Sequence, residues 1–333
     1  DFSPLKKLNK LTYLSLANAY SLEKLPAELG RLTNLKELIL DDVGVEDITA
    51  LETLTSLEIL SFRRNRIDNF TPLTNLVSLR SLHIELDDAI DGTHQITFLE
   101  HLENLEELTI HLYRVEDYSP IGTLKNLRHL SVHQVEGKSP IFLSQLPKLE
   151  SLYMPHADIY SIDGIEDAKN LKSLKVGYSR IQSLEPLRDL VQLERIDFHD
   201  NMITSVEPLK NLTKLTHMTL SDNYIKDITP LKALTNLESL YVYNNRISSI
   251  QVVENFPKLD RLHVMGNNIS DISPVAHLLN LSLLDVRNNN ILLLQPVDTL
   301  LNLKKLRIEG NDIDNDKWLQ DFAEEHPDVT IDV

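Results

Sequence analysis

Leucine, isoleucine and valine fall along this chain at neither plain helical nor plain alternating positions, but in a pattern that returns about every 22 residues. The stretch 215–236, LTHMTLSDNYIKDITPLKALTN, holds it in full. Leu215, Met218 and Leu220 come first, Asn223 and Ile225 follow two apart, and Ile228, Pro230, Leu231 and Leu234 close the unit. Alternation at Met218 and Leu220 predicts a short strand whose intervening polar residues turn outward. The segment from Ile228 to Leu234 is too short for a full α-helix. With proline near its start it predicts a single 3₁₀ or α turn, where a fixed φ and a missing N–H are tolerated.

Strand motifs begin at Leu11, Leu35, Leu57, Leu79, Leu105, Leu127, Leu149, Leu171, Leu193, Leu215, Leu237, Leu259, Leu281 and Leu303, and eleven of the thirteen spacings are 22. A unit this small buries its apolar edge only against its neighbours, which predicts an α/β solenoid. Parallel strands about 4.8 Å apart would form a curved sheet on the concave side, with short 3₁₀ or helical turns on the convex side. Residues 1–10, DFSPLKKLNK, match 227–236 and are expected to be the remainder of a repeat whose strand lies upstream, in a longer polypeptide. Residues 11–314 make the array of fourteen repeats. Residues 315–333 predict a capping helix and strand, with Trp318, Leu319, Phe322 and Ala323 on one helix face, Asp314 or Asn315 as cap, and Val329, Ile331 and Val333 alternating after Pro327.

An asparagine recurs after the strand at Asn65, Asn201, Asn223, Asn245, Asn267, Asn289 and Asn311, where its amide can satisfy backbone groups of adjacent coils. Ala19, Val43, Asp87, Tyr113, Val135, Ala157 and Ser179 replace it, so the later coils are expected to be the more regular. Two units are longer. The first, from Leu11, has 24 residues and the fourth, from Leu79, has 26; DDAIDGTHQ at 87–95 in the latter predicts a loop at the sheet edge.

Composition narrows the function. A solenoid grows by addition, so 333 residues can be one elongated domain. Without cysteine there is no thiol nucleophile, cysteine-bound metal or disulfide. The net charge of -17 opposes a phosphate backbone or an anionic membrane, and no apolar run approaches the roughly 20 residues of a span. No phosphate loop, dinucleotide fingerprint, GxSxG or HExxH occurs. Asp197, His199 and Ser221 share an outward face, but open strands supply no oxyanion hole, so no enzyme and no cofactor is expected.

Histidine is the informative residue. His83, His111, His129, His133, His156, His199, His217 and His263, eight of twelve, map to outward strand positions. Tyr153, Tyr178, Tyr241 and Tyr243 share that face with Arg195, Arg261 and Arg287. Together these residues have the composition of a protein interface and are the expected partner-binding set, on a monomer. Glu85, His111 and His133 fall in one column, yet a row on a flat sheet converges poorly on tetrahedral geometry, and no metal site is assigned. Titration of that row near pH 6.5 would strengthen binding to an acidic partner as pH falls.

The units LTHMTLSDNYIKDITPLKALTN and LERIDFHDNMITSVEPLKNLTK resemble the 22-residue class of leucine-rich repeats found in bacterial internalins, over residues 1–314. That resemblance implies an adhesion or recognition module, at a cell surface or secreted, binding a host or neighbouring protein through its concave face. The same class is similar to intracellular leucine-rich regulators of protein phosphatases, which makes a cytoplasmic regulator docked on an enzyme the alternative; a structural spacer in a longer surface protein is a third. SLEKLPAELGRLTN resembles a different repeat class, found in plant and bacterial receptor ectodomains.

Overall fold

The computed structural model describes residues 2–19, 22–86, 94–112, 114–133, 135, 140–313 and 316–333. Its contacts divide into two compact units, residues 1–158 with 163–170, and residues 159–162 with 171–333. The first holds seven strands: β1 Tyr13–Ser15, β2 Glu37–Ile39, β3 Ile59–Asn65, β4 Ser81–Leu86, β5 Glu107–His111, β6 His129–Val132 and β7 Ser151–Tyr153. Each pairs in parallel with the next, and the register keeps the central leucines abreast, Leu14 to Leu38 to Leu60 to Leu82 to Leu108 to Leu130 to Leu152. The second holds β8 Ser173–Lys175, β9 Arg195–Asp197, β10 His217–Thr219, β11 Ser239–Tyr241, β12 Arg261–His263, β13 Leu283–Asp285 and β14 Lys305–Arg307. Helix α1, Asp316–Glu325, and strand β15, Thr330–Asp332, follow. These strands are also parallel and in chain order, with β15 beside β14.

Between strands the chain returns through single 3₁₀ turns such as Thr71–Asn75 and Thr229–Ala233, with proline in the first turn. The leucine that ends each turn is tied back to it, Leu76 N–H to the Leu73 carbonyl and Leu234 N–H to the Leu231 carbonyl. Core positions are the predicted ones: Leu57, Leu60 and Phe62 in one coil, and Leu215, Met218 and Leu220 in another, are fully buried.

Asparagine rungs close each later coil. Asn245 Oδ1 accepts from the Ile225 N–H at 2.9 Å, and its Nδ2 reaches the Leu220, Val242 and Tyr243 carbonyls at 2.9–3.1 Å. Asn201, Asn223, Asn267 and Asn289 repeat this arrangement. In the first unit Asn65 forms a rung, whereas Val43 and Ala157 fill the position with buried apolar side chains. The residue just before the rung position is left-handed: Asp42, Arg64, His156, Tyr178, Asp200, Asp222, Asn244 and Asn288 have φ between 50° and 56°, and Gly266 and Gly310 have φ of 65° and 72°. Most residues there are types that tolerate this conformation; Arg64 and Tyr178 are not.

Two expectations fall largely on residues that are not described, and one changes. Residues 87–93 of the expected edge loop lie outside the described residues, while His94 is buried and bridged to Val115. The caps expected at Asp314 and Asn315 also lie outside them. In α1, Phe322 is buried and stacked on Trp318 at 4.7 Å, and Trp318 Nε1 donates to Asp298, but Ala323 is exposed because its 100° step carries it off that face.

Candidate functional site

Pleating turns alternate strand residues away from the core, and the side chains expected to bind a partner lie on that outward face or at its margin. In the first unit they form a connected group. Arg63 Nη2 is 3.5 Å from His83 Nδ1, and Ser81 Oγ lies between His83 Nε2 at 3.0 Å and Glu107 Oε2 at 3.1 Å. Glu85 Oε2 is 3.8 Å from His111 Nδ1. The imidazoles of His111 and His133 lie 3.3 Å apart, and His133 meets the edge of Tyr153 at 5.5 Å. His129 Nδ1 is 2.9 Å from Ser151 Oγ. His156 and Tyr153 are exposed, Tyr153 by 44%.

The stack overturns the expected titration of this row near pH 6.5. Burial and the nearby charge of His133, with Arg63 and His83 behind it, push His111 down to about 4. Burial, with His156 adding, brings His133 to about 4 as well. His83 is also lowered, because burial outweighs the attraction of Glu107. Both Nε2 atoms of the stacked pair are buried without a hydrogen-bond partner. Stacked rings present faces to each other rather than converging nitrogens, and among the described residues no group of three or more histidines and carboxylates could hold a metal ion.

In the second unit the candidates divide into two clusters. His199 Nδ1 is 2.8 Å from Asp197 Oδ1, and its ring stands edge-on to Tyr178 at 4.5 Å. The ring lies where a side chain on Gly177 would sit, so that glycine leaves it room. Ser221 is fully buried and its Oγ has no partner, so the nucleophile-to-base contact that a triad needs is absent. Arg195 is exposed beside His217, its register partner.

The other cluster centres on Asp285, which is 1% exposed. Arg287 holds it through Nε at 2.9 Å and Nη2 at 2.7 Å, Arg307 Nη1 lies at 3.3 Å and His263 Nδ1 at 3.6 Å. Burial alone would raise this carboxyl; the close His263 imidazole and the hydrogen bonds from Arg287 outweigh it and hold the group well below the ordinary carboxylate range. Tyr241 stacks on His263 at 4.5 Å, and Arg261 Nε lies 3.2 Å from Asp260 Oδ2. Tyr243 is half-buried. Arg287 is therefore committed to the fold, whereas Tyr178 and Arg195 present themselves outward.

Two further series of side chains link successive coils. Asn34, Asn104, Asn126, Asn170, Asn236, Asn280 and Asn302 each donate Nδ2 to a carbonyl of the preceding coil at 2.7–3.1 Å. Their sequence signal is an Asn-Leu pair opening seven of the fourteen strand motifs. One residue into the motif, Lys36, Glu58, Arg80, Glu106, Arg128 and Glu150 alternate in sign. They pair as Lys36 with Glu58, Arg80 with Glu106, and Arg128 with Glu150, beside a groove that Asn104 and Asn126 also line.

Comparison with known proteins agrees with this geometry. A family model described as a leucine-rich repeat region matches residues 3–154. A second, for two copies of leucine-rich repeats, matches 191–233, 213–255 and 235–277. No curated protein sequence matches. Among solved structures, the internalin InlF of Listeria monocytogenes is similar at 26% identity and a TM-score of 0.81, over 91% of each chain. A leucine-rich repeat protein of Leptospira interrogans aligns at 21% identity and 0.78, over 99% of this chain and 98% of that one. The plant peptide hormone receptor RGFR1, solved with RGF2, aligns at 20% identity and 0.66, over 86% of this chain and 53% of its own.

Proposed function

Since the chain belongs to the leucine-rich repeat proteins, internalin-like in its repeats, we propose that it is a non-enzymatic recognition module that captures a protein partner on the outward strand face. One observation carries the reading. Tyr153, at the end of β7, and Tyr178, three residues past β8, stand 44% and 49% exposed among histidines. Aromatic rings held this way offer contact area while freezing few rotamers, which is where binding free energy concentrates. Near pH 7 His111 and His133 take part as neutral flat rings, backed by Tyr153.

Similarity to InlF supports adhesion or partner recognition as the setting, and a net charge of -17 favours a partner with a basic surface over nucleic acid. The test places a photo-crosslinking amino acid at Tyr153, at Tyr241 and at exposed Ile141 on a 3₁₀ turn. Protein crosslinks from the two strand positions, removed when Tyr178→Ala and His133→Ala are added, are expected. Crosslinks from Ile141 alone would refute the strand face as the site.

A further inference from the structure

The outward face of β1, β2 and β3 holds a carboxylate in apolar company. Register sets Tyr13, Glu37 and Ile59 abreast on the three strands, with Ser15, Ile39 and Ser61 in the next outward row. The two rows are two residues apart, so these side chains share one face, with strands about 4.8 Å from each other. Tyr13 and Ile59 are 53% and 37% exposed; Glu37 and Ile39 are half-buried, and Ser61 is buried. Glu37 thus stands in an apolar frame, with a tyrosine on one side, an isoleucine on the other and a second isoleucine two residues along its own strand.

The cations on or flanking β2 and β3 are committed elsewhere. Lys36 Nζ is 2.7 Å from Glu58 Oε1, Arg64 Nη2 is 2.6 Å from Asp42 Oδ2, and Arg63 Nη2 reaches His83 on β4 at 3.5 Å. Among the described residues, no hydrogen bond or ion pair reaches the Glu37 carboxylate. Asp41, two residues past Ile39, accepts the Ser61 hydroxyl at 2.7 Å and the Arg63 N–H at 2.9 Å, both on Oδ1. A ligand suited to this frame carries a cation on an apolar stem. Lysine and arginine do so, laying methylenes on apolar surface while the head stays charged, and a tyrosine face adds attraction for the cation. Four residues of extended chain separate Glu37 from Asp41, about 13 Å, which is the span between residues i and i+4 of an extended peptide. Residue i+2 of such a peptide would lie over Ile39.

We infer that this face is the subsite for a basic stretch of the captured protein, an extended segment with two lysines or arginines four residues apart and an apolar residue midway. The cations meet Glu37 and Asp41, the apolar side chain meets Ile39, and Tyr13 and Ile59 flank the stem of the first cation. The inference rests on the reading above, that a protein is held on the outward strand face, and gives that protein its chemistry at one place. Local and overall charge agree: Glu37, Asp41 and the net charge of -17 all favour a basic segment and all oppose an acidic one or a nucleic acid.

Fluorescence anisotropy on the full chain tests this with a labelled peptide of about twelve residues repeating Lys-Ser-Leu-Ser, a counterpart with serine in place of leucine, and spermidine as competitor. Glu37→Gln, which keeps the size and removes the charge, is expected to raise the Kd of the leucine peptide about fivefold. Glu52→Gln, which removes the same charge from an exposed site at the end of a 3₁₀ turn, should leave that Kd unchanged. Ile59→Thr, still β-branched but less apolar, should weaken binding about threefold. Equal loss in Glu37→Gln and Glu52→Gln would overturn the inference by assigning binding to net charge alone. So would an unchanged Kd in Glu37→Gln at an unchanged melting temperature, equal affinity for the serine peptide, or spermidine competing as well as unlabelled peptide. No peptide binding, while Tyr153 and Tyr241 still give protein crosslinks, would refute the subsite and leave the strand-face reading standing. Peptide binding weakened by Glu37→Gln, without crosslinks from those two positions, would support the subsite and count against the broader reading alone.

Discussion

His111 and His133 are the residues whose protonation the fold opposes most clearly. Both are held near 4 by burial and by neighbouring cations or imidazoles, against an ordinary value of 6.5. The groups facing them are Glu85, His83 and Arg63 on one side, and Tyr153 and His156 on the other. With the folded value below the unfolded one, the unfolded chain binds more protons between the two. Their contribution to stability is therefore complete above pH 6.5 and is lost as pH falls toward 4. The rings keep some solvent, so each histidine should cost about 1 kcal/mol over that window rather than the full equivalent of its shift. Urea unfolding of the wild type at pH 7 and pH 4.5 should show this drop, and His111→Phe, which keeps a flat ring without a proton to bind, should reduce it. An equal drop in the variant would assign the acid sensitivity elsewhere.

At the scale of the coil, the asparagine rung is the device that matters, and its energetics separate it from the second asparagine series. Asn245 is nearly buried and satisfies one N–H and three carbonyls. Asn245→Ala strands these groups away from water, at about 1–3 kcal/mol for an unsatisfied buried group, and should cost about 2–4 kcal/mol in all. Asn302 donates once, to the Leu279 carbonyl at an exposed site, and Asn302→Ala should cost under about 1.5 kcal/mol. Urea unfolding curves of the two variants distinguish these values. The rung was legible in the sequence because period, residue type and the following isoleucine coincide at Asn201, Asn223 and Asn245. Strands and 3₁₀ turns were legible for the same reason. What lay hidden were contacts between side chains about 22 residues apart: the His111 and His133 stack, Arg246 over Tyr224, and Arg307 reaching Asp285. Period and face put such residues side by side, while rotamer and burial decide whether they touch, titrate or face solvent. The left-handed site at Tyr178 was missed differently, since its neighbours Asp200, Asp222 and Asn244 already spelled the preference.

Across the whole chain, stability should follow the distribution of rungs, because a repeat array sums local coil energies and nearest-neighbour interfaces. In the second unit Asn201, Asn223, Asn245, Asn267 and Asn289 form an unbroken buried series. In the first, Asn65 ends β3, and β3, β4 and β5 are long, with seven, six and five residues, so that the extra backbone pairing of β4 and β5 compensates for missing rungs. Strands β6 and β7 have neither advantage: they are four and three residues long, and Val135 and Ala157 stand where rungs would be. Apolar filling at those two sites removes the need to desolvate an amide but leaves backbone groups of the turn without its four hydrogen bonds. Net gains of about 1 kcal/mol per hydrogen bond then favour the second unit by several kcal/mol per coil at most. Hydrogen exchange followed by mass spectrometry at rising urea should show β6 and β7 losing protection first, β3 to β5 later, and β9 to β13 last. Simultaneous loss along the chain would mean that coupling between coils, rather than the rungs within them, sets the stability.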